Sequence, residues 1–167
     1  TKEADNTSDL NIIDKLIDKV QSGYDVALAS CYAKRGAVIG TTFFRIMLSR
    51  SANALLRLYM NLKEVSTYSS FYRAYNPKAL RQICKEYKDK LIEEDGFECM
   101  VELLIKFSRN KKFRITEIPM VLDGSRRIGK SRMRIRKTIK GFLRVVIKDV
   151  FHHTLRIKAK SLSGAAM

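Results

Sequence analysis

The apolar residues of this chain change their period within the first third of its length, and that change limits the folds available. Leu10, Ile12, Ile13, Leu16, Ile17 and Val20 recur at helical spacing between Asp9 and Val20, with Ser8 or Asp9 placed to cap the start and Gly23 to end it. The next stretch, Tyr24 to Cys31 (YDVALASC), is apolar and β-branched without caps, which reads as a buried strand. Residues 33–42, with Gly36 and Gly40, read as a loop, and Thr42 to Leu62 as a long helix rich in Leu, Met and Ala. Buried strands alternating with helices imply an α/β architecture.

The alternation continues. Thr67 to Tyr75 (TYSSFYRAY) reads as a strand, and Asn76-Pro77 opens a helix running to about Tyr87, proline suiting a first turn. Gly96 separates this from a helix over Phe97 to Arg109. Phe113 to Leu122 is a strand in which Pro119 places part of the segment at a sheet edge. A basic loop, 123–131, leads into a last helix from about Arg134 to His153. Its stripe is Ile139, Phe142, Leu143, Val146, Ile147, Val150 and Phe151, with Lys137, Lys140, Arg144 and Lys148 largely on the other side. At 167 residues and 46% hydrophobic, the chain can bury one core. One domain over 1–155 is expected, followed by a basic, small-residue tail at 156–167 that is loose from Ser161 onward.

The net charge of +16 speaks to partners, leaving nucleic acid, anionic membrane and phosphorylated small molecules open. It is uneven: the first 25 residues hold six acidic and three basic side chains, whereas 126–160 hold thirteen basic and one acidic. No stretch approaches the roughly 18 apolar residues of a membrane span, and the polar, acidic start is not a signal peptide. Cys31, Cys84 and Cys99 are odd in number and lack CxxC spacing, so they are expected as buried free thiols in a cytosol-facing protein.

Four groups carry candidate chemistry. Glu3-Ala4-Asp5 sets two hard oxygen ligands at i and i+2, which suit Mg²⁺ or Mn²⁺ if the turn curls, or simply favour a helix N-terminus. Arg126-Arg127-Ile128-Gly129-Lys130-Ser131-Arg132 offers Arg126, Ser131 and Arg132 to phosphate oxygens, or is a solvated basic loop. Its Gly-Lys-Ser falls one residue out of register for a Walker loop. Arg45 and Ser49, one helical turn apart, can grip a phosphate or are simply a surface Arg with a neighbouring Ser, while Arg50 and Arg57 read as solvated. Arg73 either points into a cleft or pairs with a carboxylate. Glu98 and Glu102 share a helix face of the kind usually open to solvent. His152 and His153 read as surface residues, and no Ser/His/Asp or Cys/His arrangement is present to supply a general base.

In their order along the chain these groups resemble the family 2 glycosyltransferases of the dolichol-phosphate (polyprenyl-phosphate) mannosyltransferase type. Glu3-Ala4-Asp5-Asn6-Thr7 is similar to that family's DxD-type motif, and Gly23-Tyr24-Asp25-Val26 through Ser30-Cys31-Tyr32 to its GyDvv.gSRY strand. Arg45, Ser49 and Asn53 match an R…S…N helix, residues 67–75 a DxTSGFRAY segment, Gly96-Phe97-Glu98 to Glu102 a GFEFQxE segment, and Ile118-Pro119 with Arg126, Gly129, Ser131 and Arg132 the EVPI…R..G.SKM segment. The likeness covers residues 3 to about 150.

The resemblance implies a GT-A-like fold, a mixed sheet flanked by helices, with the N-terminal nucleotide-binding half missing and this portion therefore inactive alone. It implies that Asp5 and Glu3 hold Mg²⁺ or Mn²⁺ against the diphosphate of a nucleotide sugar of the GDP-mannose or UDP-glucose type. Arg126, Ser131 and Arg132 would close over the donor phosphates. Arg45 and Ser49 would grip the phosphate of a polyprenyl-phosphate or other phosphate-bearing acceptor, and the amphipathic helix 138–153 either lies peripherally on the cytoplasmic face of a membrane or packs on the sheet. Such an acceptor is already anionic at neutral pH and attacks without a protein base, inverting the anomeric centre. Cys31 and Thr67 depart from the family, which has Arg and Asp there; so do Phe71 for Gly, Glu3 for Asp and Arg132 for Lys. The rival expectation is a basic nucleic-acid-binding module, for which no helix-turn-helix, RRM or zinc signature supplies context.

Overall fold

The computed structural model describes residues 1–128 and 135–164, the side chains of 135–136 and 152–164 excepted. Its centre is β1 (Val26–Ser30), every residue of which is buried. β1 lies between β3 (Arg73–Tyr75), antiparallel to it, and β4 (Ile115–Pro119), parallel to it in register from Val26↔Ile115 to Ser30↔Pro119. Pro119 thus ends an outer strand of this sheet, where a missing N–H is tolerated. The α/β expectation holds.

Alternate residues of β1 enter two cores. Val26 and Leu28 pack with Leu56 and Met60 of α2 (Phe43–Met60), Ile83 of α3 (Pro77–Tyr87), Val101, Leu104 and Phe107 of α4 (Cys99–Arg109), and Phe142 and Val145 of α5 (Ile135–Gly164). Ala27 and Ala29 meet Ile12 and Leu16 of α1 (Ile12–Gln21), with Tyr72, Ile118 and Met120. Both faces of the strand are covered, which is why it reads as an uninterrupted apolar run.

Two short strands differ from the sequence reading. Ala37–Ile39, inside the expected loop, is β2, and it pairs in parallel with β5 (Val121–Asp123) as a separate two-stranded sheet. The predicted strand 113–122 is therefore divided at Met120 between two sheets. Three-residue strands are too short to show a period of two, so periodicity cannot find them.

Residues 67–72, expected as strand, are irregular, and Arg73 supplies the reason. Only 2% exposed, its guanidinium donates from Nε to Ser70 O (2.6 Å), from Nη1 to Met100 O (2.7 Å) and from Nη2 to Tyr68 O (2.8 Å). It takes carbonyls that a strand ladder would have used. Arg73 is accordingly a core residue rather than a cleft residue.

Glu98 and Glu102, expected at solvent, are both buried. Glu102 pairs with Lys106 at 2.6 Å and accepts from the backbone nitrogens of Glu93 (2.9 Å) and Glu94 (3.2 Å). Lys106 in turn donates to the carbonyls of Lys90 and Leu91. The segment after α3 wraps over α4, and this pair ties it down. α5 then docks through Phe142 and Val145, with Glu94 held by Arg144 (3.1 Å) and Lys148 (2.8 Å), and Asp149 accepting from Tyr59 and Arg109. Leu143, Ile147, Val150 and Phe151, four of the seven residues of the expected stripe, are exposed. The helix runs on to Gly164, past its expected end near His153. Cys31 is buried as expected, Cys99 is half-buried, and Cys84 is exposed on α3; all three are free thiols.

Replacing Arg73 by Met leaves three buried carbonyls without their donor, and replacing it by Lys restores a charge without the planar fork. Urea unfolding should show a loss of about 3 kcal/mol or more for Arg73→Met. A change within about 1 kcal/mol would mean that water satisfies these carbonyls.

Candidate functional site

Three segments distant in sequence meet at one side of the two-stranded sheet. The N-terminal segment is held at both ends: the Thr1 ammonium donates to Arg73 O (2.8 Å), while the Asp123 N–H donates to Thr7 O (2.8 Å) beside an antiparallel bridge from Ser8 to Leu122. Between these anchors the chain curls at Asn6, whose φ of +60° is one Asn tolerates better than most residues. Asp5 Oδ1 closes the curl by accepting from the backbone N–H (3.2 Å) and hydroxyl (2.7 Å) of Thr7.

The second segment follows β5. Asp123 accepts from Ser125 N (3.0 Å) and Ser125 Oγ (2.5 Å), capping the turn Gly124–Arg126. Arg127 comes next and reaches back to the acid pair, donating from Nη2 (2.6 Å) and Nε (3.2 Å) to Asp5 Oδ2. Burial alone would raise the pKa of Asp5. The hydrogen bonds from Arg127 and Thr7 outweigh it and hold the carboxyl below its ordinary value. Glu3 shifts the other way: burial raises its pKa and the nearby Asp5 adds to that, against smaller opposing effects of Arg127 and Lys2.

The third segment is the head of α2. A Cβ on Gly40, which has a φ of +64°, would strike the backbone nitrogen of Ser125, and one on Gly124 would lie 2.7 Å from Gly40 O. Only glycines allow the loops after β2 and β5 to touch, and their contact sets the start of α2 beside the Arg126–Arg127 turn. Arg45 and Ser49, both half-buried, occupy the first two turns of that helix. Arg50, expected only as a solvated charge, lies over the Tyr32 ring at 5.5 Å. Asn53 donates to Ser49 O (2.8 Å) and accepts from Tyr68 N (2.7 Å), tying the helix to the segment that Arg73 organises. On the opposite side of α2, Phe43, Phe44, Met47, Leu55 and Leu58 are exposed, Phe43 by 76% and Leu58 by 82%.

Glu3, Asp5, Arg126, Arg45 and Ser49 thus belong to converging segments, whereas Arg73 lies in the core and Ser131 and Arg132 fall outside the described residues. Sequence reasoning chose Arg126, which is exposed, and missed Arg127, the residue that touches Asp5. No local signal marks a contact across 122 positions. Among the described residues no group of three or more His, Cys, Asp or Glu is gathered as a metal cage. Two carboxylates nevertheless fit a hard divalent cation that completes its shell with water and phosphate. No helix among the described residues is long and apolar enough to cross a membrane.

Comparison with known proteins gives this geometry a context. No family model matches the chain. It is 29% identical over 148 residues to a dolichol-phosphate mannosyltransferase of Pyrococcus furiosus, covering 87% of this chain and 38% of that protein. It is 25% identical over 131 residues to a polyprenol monophosphomannose synthase of Mycolicibacterium smegmatis, covering 78% of this chain and 47% of that protein. The chain is a distant relative of polyprenyl-phosphate mannosyltransferases. It spans less than half the length of these two relatives.

The raised pKa of Glu3 means that its ionised form is disfavoured in the folded state. Its contribution is absent below the folded and unfolded values and becomes a penalty as pH rises above the ordinary 4.5. Glu3→Gln should therefore raise the melting temperature at pH 7, with the gain vanishing below about pH 4. A melting temperature lowered at pH 7 would show that the charge is well compensated.

Proposed function

We propose that this chain carries part of a glycosyltransferase site that moves a sugar, mannose by the names of its relatives, from a nucleotide-sugar donor to a polyprenyl phosphate. The observation that carries the reading is the contact of Asp5 with Arg127, which joins the acid pair to the turn after β5, together with the Gly40–Ser125 approach that brings the loop before α2, the helix of Arg45 and Ser49, to the same turn. The relatives' names support the same class. In this reading Asp5 and Glu3 hold Mg²⁺ or Mn²⁺, which when bound supplies positive charge to the departing nucleoside diphosphate. Arg126, Ser131 and Arg132 bind donor phosphates, adding charge where it develops.

Arg45 and Ser49 bind and orient the acceptor phosphate. Its second ionisation, near pH 6 by analogy with phosphoserine, leaves it largely dianionic at neutral pH and nucleophilic without a base. A single in-line displacement at the anomeric carbon forms the new C–O bond as the diphosphate leaves, inverting that centre. The exposed face of α2 suits contact with the membrane that contains such an acceptor, with Arg50 and Arg57 available to anionic headgroups.

The test is calorimetric titration of the chain with a short-chain polyprenyl phosphate and, separately, with the matching unphosphorylated alcohol, both in neutral micelles. The phosphate form should bind the more tightly, with Arg45→Ala and Ser49→Ala each weakening it, the arginine change by about tenfold or more. Equal binding of the alcohol would sink this assignment. Tighter, steeply salt-dependent binding to duplex nucleic acid would favour a nucleic-acid module instead.

A further inference from the structure

We infer that Arg127 sets the affinity of the acid pair for its divalent cation by acting as an internal competitor for Asp5. The inference rests on the proposed reading of Glu3 and Asp5 and names how that site is regulated.

Both oxygens of Asp5 are engaged. Oδ1 accepts from Thr7, and Oδ2 accepts two N–H groups of one guanidinium at 2.6 and 3.2 Å. A cation that takes Asp5 as a ligand must share or displace at least one of these partners. Thr7 is fixed by backbone pairing to Asp123, so it cannot retreat without unzipping that contact. Arg127 has more freedom. Its side chain is 28% exposed and that of Asp5 26%, and an ion pair open to water to this degree is weak enough to exchange.

Charge favours the exchange. A guanidinium brings one positive charge to two carboxylates, whereas a divalent cation brings two. Glu3, partly buried and two residues from Asp5, is the second carboxylate such a cation would meet. Displaced from Asp5, the same guanidinium stands one residue beyond the Gly124–Arg126 turn, where it can bind the phosphate oxygens that arrive with the cation. Arg127 would then be a positioning residue that keeps the turn against the N-terminal segment until the cation enters.

A purely structural clamp predicts the opposite sign: removing it would loosen the acid pair and weaken cation binding. The experiment therefore measures Mn²⁺ alone, from the electron paramagnetic resonance signal of the free ion, titrated with the chain at low ionic strength. Arg127→Gln should bind Mn²⁺ about fivefold more tightly than the parent, the tightening expected when an ion pair worth about 1 kcal/mol no longer competes. Arg127→Lys should fall between them, and Asp5→Asn placed in the Arg127→Gln background should abolish the gain. Equal or weaker binding by Arg127→Gln overturns the competitor role while leaving the cation site standing. Failure of every form to retain Mn²⁺ overturns the cation site as well. Should Arg127→Gln fail to fold, as judged by circular dichroism, Arg127→Lys decides alone: tighter binding than the parent supports competition, and equal or weaker binding refutes it.

Discussion

The fully buried guanidinium of Arg73 is the interaction on which the rest of the molecule depends. A charge placed in a protein core is tolerable only when its hydrogen bonds are made, and here three carbonyls from two separate segments make them. Two of those carbonyls, of Tyr68 and Ser70, give residues 67–72 their irregular path; the third, of Met100, ties that path to the head of α4. The backbone of Arg73 works in parallel. It pairs with β1 on one side, and on the other it exchanges hydrogen bonds with Thr1, donating to Thr1 O (3.0 Å) and accepting from the Thr1 ammonium. One residue therefore fixes the segment that holds Asn53 and α2, and also the segment that leads two residues later to Glu3. The candidate site is built on a buried arginine that does not take part in it.

What the sequence made legible follows from length and period. α1, α2, α3, α4 and β1 each sustain one pattern for at least five residues, and each falls close to its expected span. The three-residue strands β2 and β5 sustain none. The burial of Glu102 and Lys106 was hidden for a different reason: their partners are backbone groups of residues 90–94, which carry no sequence signature of that role. At the site, the i,i+4 spacing of Arg45 and Ser49 was readable because a helix enforces it. The pairing of Asp5 with Arg127 rather than Arg126 was not, because which of two adjacent arginines turns inward depends on the turn capped by Asp123.

Electrostatics divides the basic residues into two populations. In α5, Arg144 and Lys148 converge on Glu94, whose carboxyl burial would push up but whose two cations hold below its ordinary value. Arg109 likewise belongs to Asp149. These pairs tie the last helix to α4 and to the segment before it, so part of its positive charge is already matched within the fold. The docking contribution of Glu94 is present above the ordinary carboxylate range and is lost as pH falls through its depressed folded value, so acid weakens the hold on α5. The net charge of +16 consequently overstates what the surface offers, and a functional reading has to rest on where the cations sit.

Location is what distinguishes α2. Its inner side carries Asn53, Leu56 and Met60 into the fold, with Arg45 and Ser49 on that same side near the head of the helix, and its outer side exposes Phe43, Phe44, Met47, Leu55 and Leu58. A phosphate on a long apolar chain stays in its bilayer, since lifting the chain into water costs about 0.8 kcal/mol per methylene. A protein acting on such a phosphate must bring its polar grip to the depth of the headgroups while tolerating lipid against its own surface. An amphipathic helix that exposes one apolar side and carries a phosphate grip near its head on the other sets both tasks on one element. On the proposed reading, the apolar side of α2 therefore contributes to substrate recognition through one rigid helix, whose head carries Arg45 and Ser49 on the side away from the lipid.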